Sequence, residues 1–237
     1  MTTPPPLKIL YQDNHIIVVL KPRNIPSQAD NTGDVDMLSL VKDYIKHAEK
    51  KPGNVYVALL HRLDRPTGGI MVFAKTSKAA ARMSEQFKAG QVEKKYFAIA
   101  LNYITKPVAE LTHYLVKDTK NNIVRAHVAA VPNSKKAILN YKLLDVRDNL
   151  SLVDVNLVTG RSHQIRAQMA QIGHPLYADH KYQALKPVDG YGLPLALWAY
   201  SLKFTHPTKG EAMAFKAAPP PEEKYWKDFA IEKYIVI

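Results

Sequence analysis

The apolar stretches of this chain are short, rich in β-branched residues and closed by turn formers. Residues 16–20 read IIVVL and residues 70–74 read IMVFA. Runs of this length suit buried strands, and they fall far below the ~20 apolar residues that a membrane-crossing helix needs. A chain built from such pieces has to pair them in a sheet.

The intervening sequence supplies turns and a few helices. Residues 7–22 form two short strands around Asp13 and Asn14. Residues 36–51 place Leu40, Tyr44 and His47 at helical spacing, with a basic end, and Pro52-Gly53 stops them. Residues 54–60 are expected as a strand leading to His61. Ser77 caps a helix that runs to Gly90. Strands are expected over 94–104, 137–146 and 150–158, the last two joined by a turn at 147–149, with a helix from about 162 to 172. ALWAYSLKF and AMAFKA make a hairpin around THPTKGE. Strands and helices mix without a steady βαβ rhythm, so the fold class is α+β, with a mixed, mainly antiparallel sheet and flanking helices.

Charge narrows the function. Lys plus Arg number 33 against 21 Asp plus Glu, a net +12, and the pI is about 9.6. Such a chain attracts polyanions, as nucleic-acid-binding domains do, although a lysine-rich solvated surface gives the same total. There is no cysteine, which excludes a disulfide framework and any thiolate zinc site. The start, MTTPPPLKIL, lacks the basic and apolar regions of a signal peptide, so a soluble cytoplasmic protein is expected. No Gly-x-Gly-x-x-Gly, Walker loop, His-Glu-x-x-His or Gly-x-Ser-x-Gly occurs. His163, His174 and His180 come nearest to a metal cluster but lack companion carboxylates at ligand spacing. Neither a metal nor a cofactor is expected.

Two segments concentrate chemistry. HRLDRPTGGIMVFAKT, 61–76, sets Asp64 between Arg62 and Arg65, then gives Gly68-Gly69 for a sharp turn or a close approach. Neighbouring guanidinium groups favour a charged carboxylate; an exposed loop ion pair would look the same. TGRSHQIRAQMAQIGHPLYAD, 159–179, reads as a short helix with Ile165, Met169 and Ile172 on its core stripe and His163, Arg166 and Ala170 on an adjacent face. Arg161 and Arg166 bracket its first turn. Cations are disfavoured there unless an anion, carboxylate or phosphate, sits opposite; a basic surface helix is the other reading.

His61-Arg62-Leu63-Asp64, followed by 67–75 (TGGIMVFAK), resembles the signature of the RluA-type pseudouridine synthases. GRSHQIR at 160–166 resembles a second signature, and KKYFA at 94–98 and the Ile9-Leu10-Tyr11, Val18-Val19 and Lys21-Pro22 pieces are partial matches. The resemblance covers roughly residues 7 to 205. Gly68 stands where the family more often has serine, Pro66 where a polar residue is common, and Leu197-Trp198-Ala199 where Leu-His-Ala is frequent.

The resemblance implies the pseudouridine synthase fold over residues 7–237 after a flexible lead at 1–6, with a catalytic cleft across the sheet. It implies an isomerase that converts uridines of ribosomal or transfer RNA to pseudouridine and needs no cofactor; a monomer is the default expectation. With no upstream RNA-binding domain before residue 7, target selection is expected to come from the catalytic domain. Asp64 would be the essential carboxylate, as a nucleophile at C1′ or as the base that removes the C2′ proton. Arg166 would pair with it. Tyr96 would stack on the flipped uracil and accept the C5 proton, although a tyrosine is mostly protonated at neutral pH and needs assistance. Arg62, Arg161, His163 and Leu197 would contact substrate or hold the loops around it. A non-catalytic RNA-binding protein on the same scaffold is the alternative, while a metal-dependent RNA hydrolase is disfavoured by the lack of clustered carboxylates.

Overall fold

A computed structural model describes residues 6–183 and 192–235. The proline-rich lead expected over 1–6 lies outside these residues apart from Pro6. The chain forms two compact units: Met1–Val92 with Tyr200–Ala217, and Glu93–Ala199 with Ala218–Ile237.

The first unit pairs β1 (Lys8–Gln12) with β2 (Ile16–Lys21), and β2 with β4 (Gly68–Ala74), both antiparallel. A two-residue strand β3 (Ala58–Leu59) also pairs with β4; the rest of 54–60 is irregular. Every residue of β4 is buried, which explains its unbroken apolar run. Strand β10 (Leu197–Thr205) enters this unit from Tyr200 onward and makes a hairpin with β11 (Ala212–Lys216), as expected. One face of the sheet buries Ile16, Val18, Ile70, Val72, Leu202 and Phe204 together with Ala79 and Met83 of helix α2 (Ser77–Lys88). Each of the larger side chains contributes roughly 1.5–3 kcal/mol.

Two helix details differ from the sequence reading. Helix α1 (Met37–Ala48) buries Met37, Val41 and Ile45, one residue round from the stripe expected through Leu40 and Tyr44, and His47 is exposed. Asp36 caps the helix by accepting from the N–H and hydroxyl of Ser39. Helix α2 is capped by Thr76, whose hydroxyl accepts from the Ala79 N–H, and not by Ser77.

The second unit has the strand order β5–β9–β8–β6–β7, with β5 at Glu93–Leu101, β6 at Val108–Asp118, β7 at Ile123–His127, β8 at Lys135–Arg147 and β9 at Leu150–Leu157. All four pairings are antiparallel. Strands β6 and β7 were not foreseen, because charged and polar residues fill their solvent face. Helix α3 (Gln164–Gln171) packs Ala167 against Leu115, Val124 and Ala137. The C-terminal α4 (Lys224–Asp228) and a 3-10 helix at Ile231–Tyr234, also unforeseen, bury Tyr225, Trp226 and Ile231. The fold class is therefore α+β with mainly antiparallel pairing.

Candidate active site

In the first unit the loop carrying Asp64 is fastened from beneath. The Lys21 Nζ donates to the carbonyls of Pro22, Arg65 and Thr67 at 3.0, 3.0 and 2.8 Å. Ser27 donates its hydroxyl to the Leu63 carbonyl and accepts from the Leu63 N–H. Asn24 donates its N–H to the Arg65 carbonyl, and the Thr67 N–H closes a turn onto the Asp64 carbonyl at 2.9 Å. Backbone groups on both sides of Asp64 are thus fixed, and its half-buried side chain projects from a rigid support. His61 accepts from the Val72 N–H and stacks on Phe87.

The lysine is itself buried, and burial brings its ammonium down from 10.5 to about 7, with Asp64 opposing that fall and Arg23 and Arg65 adding to it. Lys21 therefore senses Asp64 electrostatically. Arg65, expected to flank the aspartate, turns to Asp30, Asp34 and Thr32 in the neighbouring loop. Arg62 is exposed. Of the two glycines, Gly69 takes a positive φ of 130° opposite Lys21, whereas Gly68 does not. The freedom of glycine is used at 69 alone, so serine in place of Gly68 is compatible with this backbone.

In the second unit Tyr96 is buried in β5, opposite Val155. Lys94, two residues earlier, faces the same side of the strand. A Cβ on Gly160 would lie 3.5 Å from its Nζ, and burial holds this ammonium below the usual lysine range.

Arg166 is 4 % exposed, which removes the reading of α3 as a basic surface helix. Its anion within this unit is Asp179: Nε and Nη2 each donate to a carboxylate oxygen at 2.7 Å. The Asp179 carboxylate also accepts from the Lys181 and Tyr182 N–H groups. The Tyr182 ring lies 5.1 Å from the guanidinium carbon, and its hydroxyl meets His163 Nδ1 at 2.8 Å. His163 adopts a left-handed φ of 49° as the N-cap residue without capping the helix. Gln164 closes that end, its Oε1 accepting from the Arg161 N–H and the Thr159 hydroxyl. Arg161 is exposed and donates to the Lys136 carbonyl at 3.2 Å. Leu197 is buried at the start of β10. His163 and Arg166 thus share one cluster with Tyr182 and Asp179, and Arg161 points elsewhere.

The profile of the RNA pseudouridylate synthase family matches residues 15–171. The chain belongs to that family. Among relatives of the pseudouridylate synthase family, the chain is 30 % identical over 230 residues to the ribosomal large subunit pseudouridine synthase D of Nitrosomonas europaea, covering 91 % of this chain and 62 % of that one. It is 32 % identical to the synthase of the same name from Neisseria meningitidis serogroup B, covering 94 % and 60 %. The chain thus spans about three fifths of the length of these two relatives. Human RNA pseudouridylate synthase domain containing 4 superposes with a TM-score of 0.74 at 24 % identity, covering 90 % of this chain and 88 % of that one. Human domain containing 1 gives 0.73 at 22 %, covering 93 % and 87 %. These two establish the pseudouridylate synthase fold.

Two supporting residues were missed in the sequence. Asp179 ends the stretch already singled out, and a lone carboxylate following an arginine helix was the available signal. Lys21 was seen only as part of a partial match; a lysine closing the run IIVVLK of a buried strand was its signal.

Proposed function

We propose that the chain is an RNA pseudouridine synthase that isomerises uridines of ribosomal or transfer RNA, acting in the cytoplasm as a monomer. The names of its relatives favour large-subunit ribosomal RNA. The observation that carries this reading is Asp64, held half-exposed on a loop whose backbone is fixed on both sides, within a sequence that matches the family.

The reaction breaks the N1–C1′ bond of the nucleotide, turns the uracil and joins C5 to C1′. Atoms are conserved, so neither an oxidant nor a reductant enters. The target base has to leave the stack, at a cost of a few kcal/mol, which phosphate contacts from a chain of net +12 can offset. Asp64 either attacks C1′, displacing uracil as an anion whose C5 then displaces the carboxylate from C1′, or takes the C2′ proton to give a glycal that uracil re-enters through C5 as the proton returns to C2′. In both routes the C5 proton leaves at the end. Tyr96 is the group proposed to stack on the ring and accept that proton. Arg166, locked in place by Asp179, supplies a fixed positive charge to the reaction. Arg62, Arg161, His163 and Leu197 are assigned to substrate contacts and loop support.

The test is incubation of the purified protein with transcripts carrying tritium at C5 of uridine. Tritium release and pseudouridine in the nucleoside digest are expected. Release that persists in Asp64→Asn sinks the assigned chemistry.

A further inference from the structure

The solvent face of the β8–β6–β7 sheet carries a row of rings and cations for which neither the fold nor the chemistry has a use. Tyr114 of β6 stands directly opposite Lys136 of β8 on one side and His127 of β7 on the other. Directly paired residues share a face, so the three side chains form one row across three strands. Lys136 is exposed, and Tyr114 and His127 are half-buried. One register step along, exposed Arg125 faces Val116. On the other side, Thr112 faces Ile138. Among the described residues, Asp118 accepts from Asn121 in the β6–β7 turn and also feels the Arg125 charge, and Glu110 accepts from the Thr112 hydroxyl at the far end.

This face is joined to the candidate site by two connections inside the same unit. Arg161, in the second signature, donates to the Lys136 carbonyl. The reverse face of the same three strands packs on α3, which carries Arg166, and Gln168 of that helix donates to the Leu111 and Ala137 carbonyls. The row is therefore built on a rigid element contiguous with the signature helix.

We propose that this face is a second RNA-binding surface, on which unpaired nucleotides of the substrate strand stack on Tyr114 and His127 while Lys136 and Arg125 hold their phosphates. This rests on the proposed function only in taking RNA as the ligand. The chemistry fits a single strand and not a duplex: aromatic rings alternating with cations bind splayed bases and backbone together, whereas the bases of a duplex are not available for stacking. Such a surface adds affinity for RNA beyond the target nucleotide without touching the reacting bond.

The test measures binding of a fluorescein-labelled 20-nucleotide polyuridylate by anisotropy across a salt series, together with turnover on a long transcript. Tyr114→Ala is expected to weaken binding roughly tenfold, and Tyr114→Phe to restore it. Arg125→Gln with Lys136→Gln is expected to make the salt slope shallower by about 1.4, or ~0.7 per lost phosphate contact on a single strand. KM on the transcript rises while kcat holds, and the thermal midpoint of the Arg125→Gln, Lys136→Gln protein does not move because both side chains are exposed. Unchanged affinity and slope in these variants overturn the proposal, as does binding of polyglutamate that competes equally with RNA. The Asp64→Asn protein separates the two readings: it is expected to bind polyuridylate normally. Wild-type protein that yields no pseudouridine while the Tyr114 and Lys136 variants still lose affinity defeats the isomerase reading and leaves this surface standing.

Discussion

Arg166 and Asp179 form a buried two-point ion pair, the guanidinium in α3 and the carboxylate in the segment that follows it. What brings them together is β5. After Gly173 turns the chain with φ 84°, the Leu101 N–H donates to the Pro175 carbonyl and the Tyr177 N–H to the Ile99 carbonyl, so residues 175–177 run along the strand that also carries Tyr96. Ala178 then takes a left-handed φ of 58°, rare for a residue with a Cβ, to swing Asp179 under the helix. Backbone strain is spent here on aiming one carboxylate.

Replacing Asp179 by asparagine takes the carboxylate charge and one of its two bonds away from a buried guanidinium. The expected loss of stability is about 3–5 kcal/mol, read as a lower urea midpoint, with pseudouridine formation lost as well. The double variant Arg166→Met with Asp179→Leu is expected to recover much of the stability and none of the activity. A double variant as unstable as the single one would place the stabilising role outside the pair.

The strand core was readable because its signal is local: 16–20 and 70–74 are apolar without interruption, and both became strands buried throughout or nearly so. Strands β6 and β7 escaped because β6 buries His113 on its core side while exposing Glu110 and Thr112, and β7 exposes Arg125. The α1 stripe lies one residue from the expected one because Leu40 and Val41 are both apolar, and the choice between them is made by what the helix packs against. Of the candidate site, the identity of Asp64, Tyr96 and Arg166 is written in contiguous motifs. Their supports are not: Lys21 lies 46 residues from its Thr67 acceptor, and no local pattern encodes a contact over that separation.

Tyr96 gives a prediction that separates stacking from proton transfer. Phenylalanine keeps the ring and removes the hydroxyl, so Tyr96→Phe is expected to bind substrate RNA as wild type does and to lose kcat by about 10²–10⁴-fold, the usual range for a missing acid–base group. Tyr96→Leu is expected to weaken binding too. Single-turnover tritium release checks the first, and anisotropy with the transcript checks both. Full activity in Tyr96→Phe would remove the hydroxyl from the mechanism.

Asp13 anchors the β1–β2 turn in the first unit. Burial alone would push its carboxyl up, but hydrogen bonds from the Ile16 and His15 N–H groups, His206 and Tyr11 outweigh that and leave it at about 2, below the ordinary 3.8. The His206 Nδ1 accepts from the Thr208 and Lys209 N–H groups, so Nε2 carries the hydrogen given to Asp13. Because the folded value is the lower one, this stabilisation is present above pH 3.8 and is lost as pH falls toward 2. Asp13→Asn is expected to cost about 1–2 kcal/mol at pH 6, after allowance for solvent screening, and much less at pH 2. Urea titrations at the two values measure it, and an equal cost at both would refute the linkage.

Lys21 gives the same slope of stability with pH for the opposite reason, because the fold disfavours its charged form instead of favouring it. In the unfolded chain its ammonium titrates near 10.5, while in the folded protein burial brings it to about 7. Between those values the unfolded state holds more protons, so this group makes stability rise with pH, by at most about 1.4 kcal/mol per unit. Below pH 7 the cost of burying the charge is present in full, offset by three carbonyl acceptors. Lys21→Met removes both the charge and the three donors, leaving the Arg65 and Thr67 carbonyls to lose a partner beside Asp64. The difference in unfolding free energy between wild type and Lys21→Met is therefore expected to grow in favour of wild type from pH 7 to pH 9. Pseudouridine formation by the variant should fall at every pH, because the aspartate loop has lost its fastening. A difference that stays flat across this range would mean that Lys21 keeps its proton in the fold, and that the positive charge next to Asp64 persists through the alkaline range.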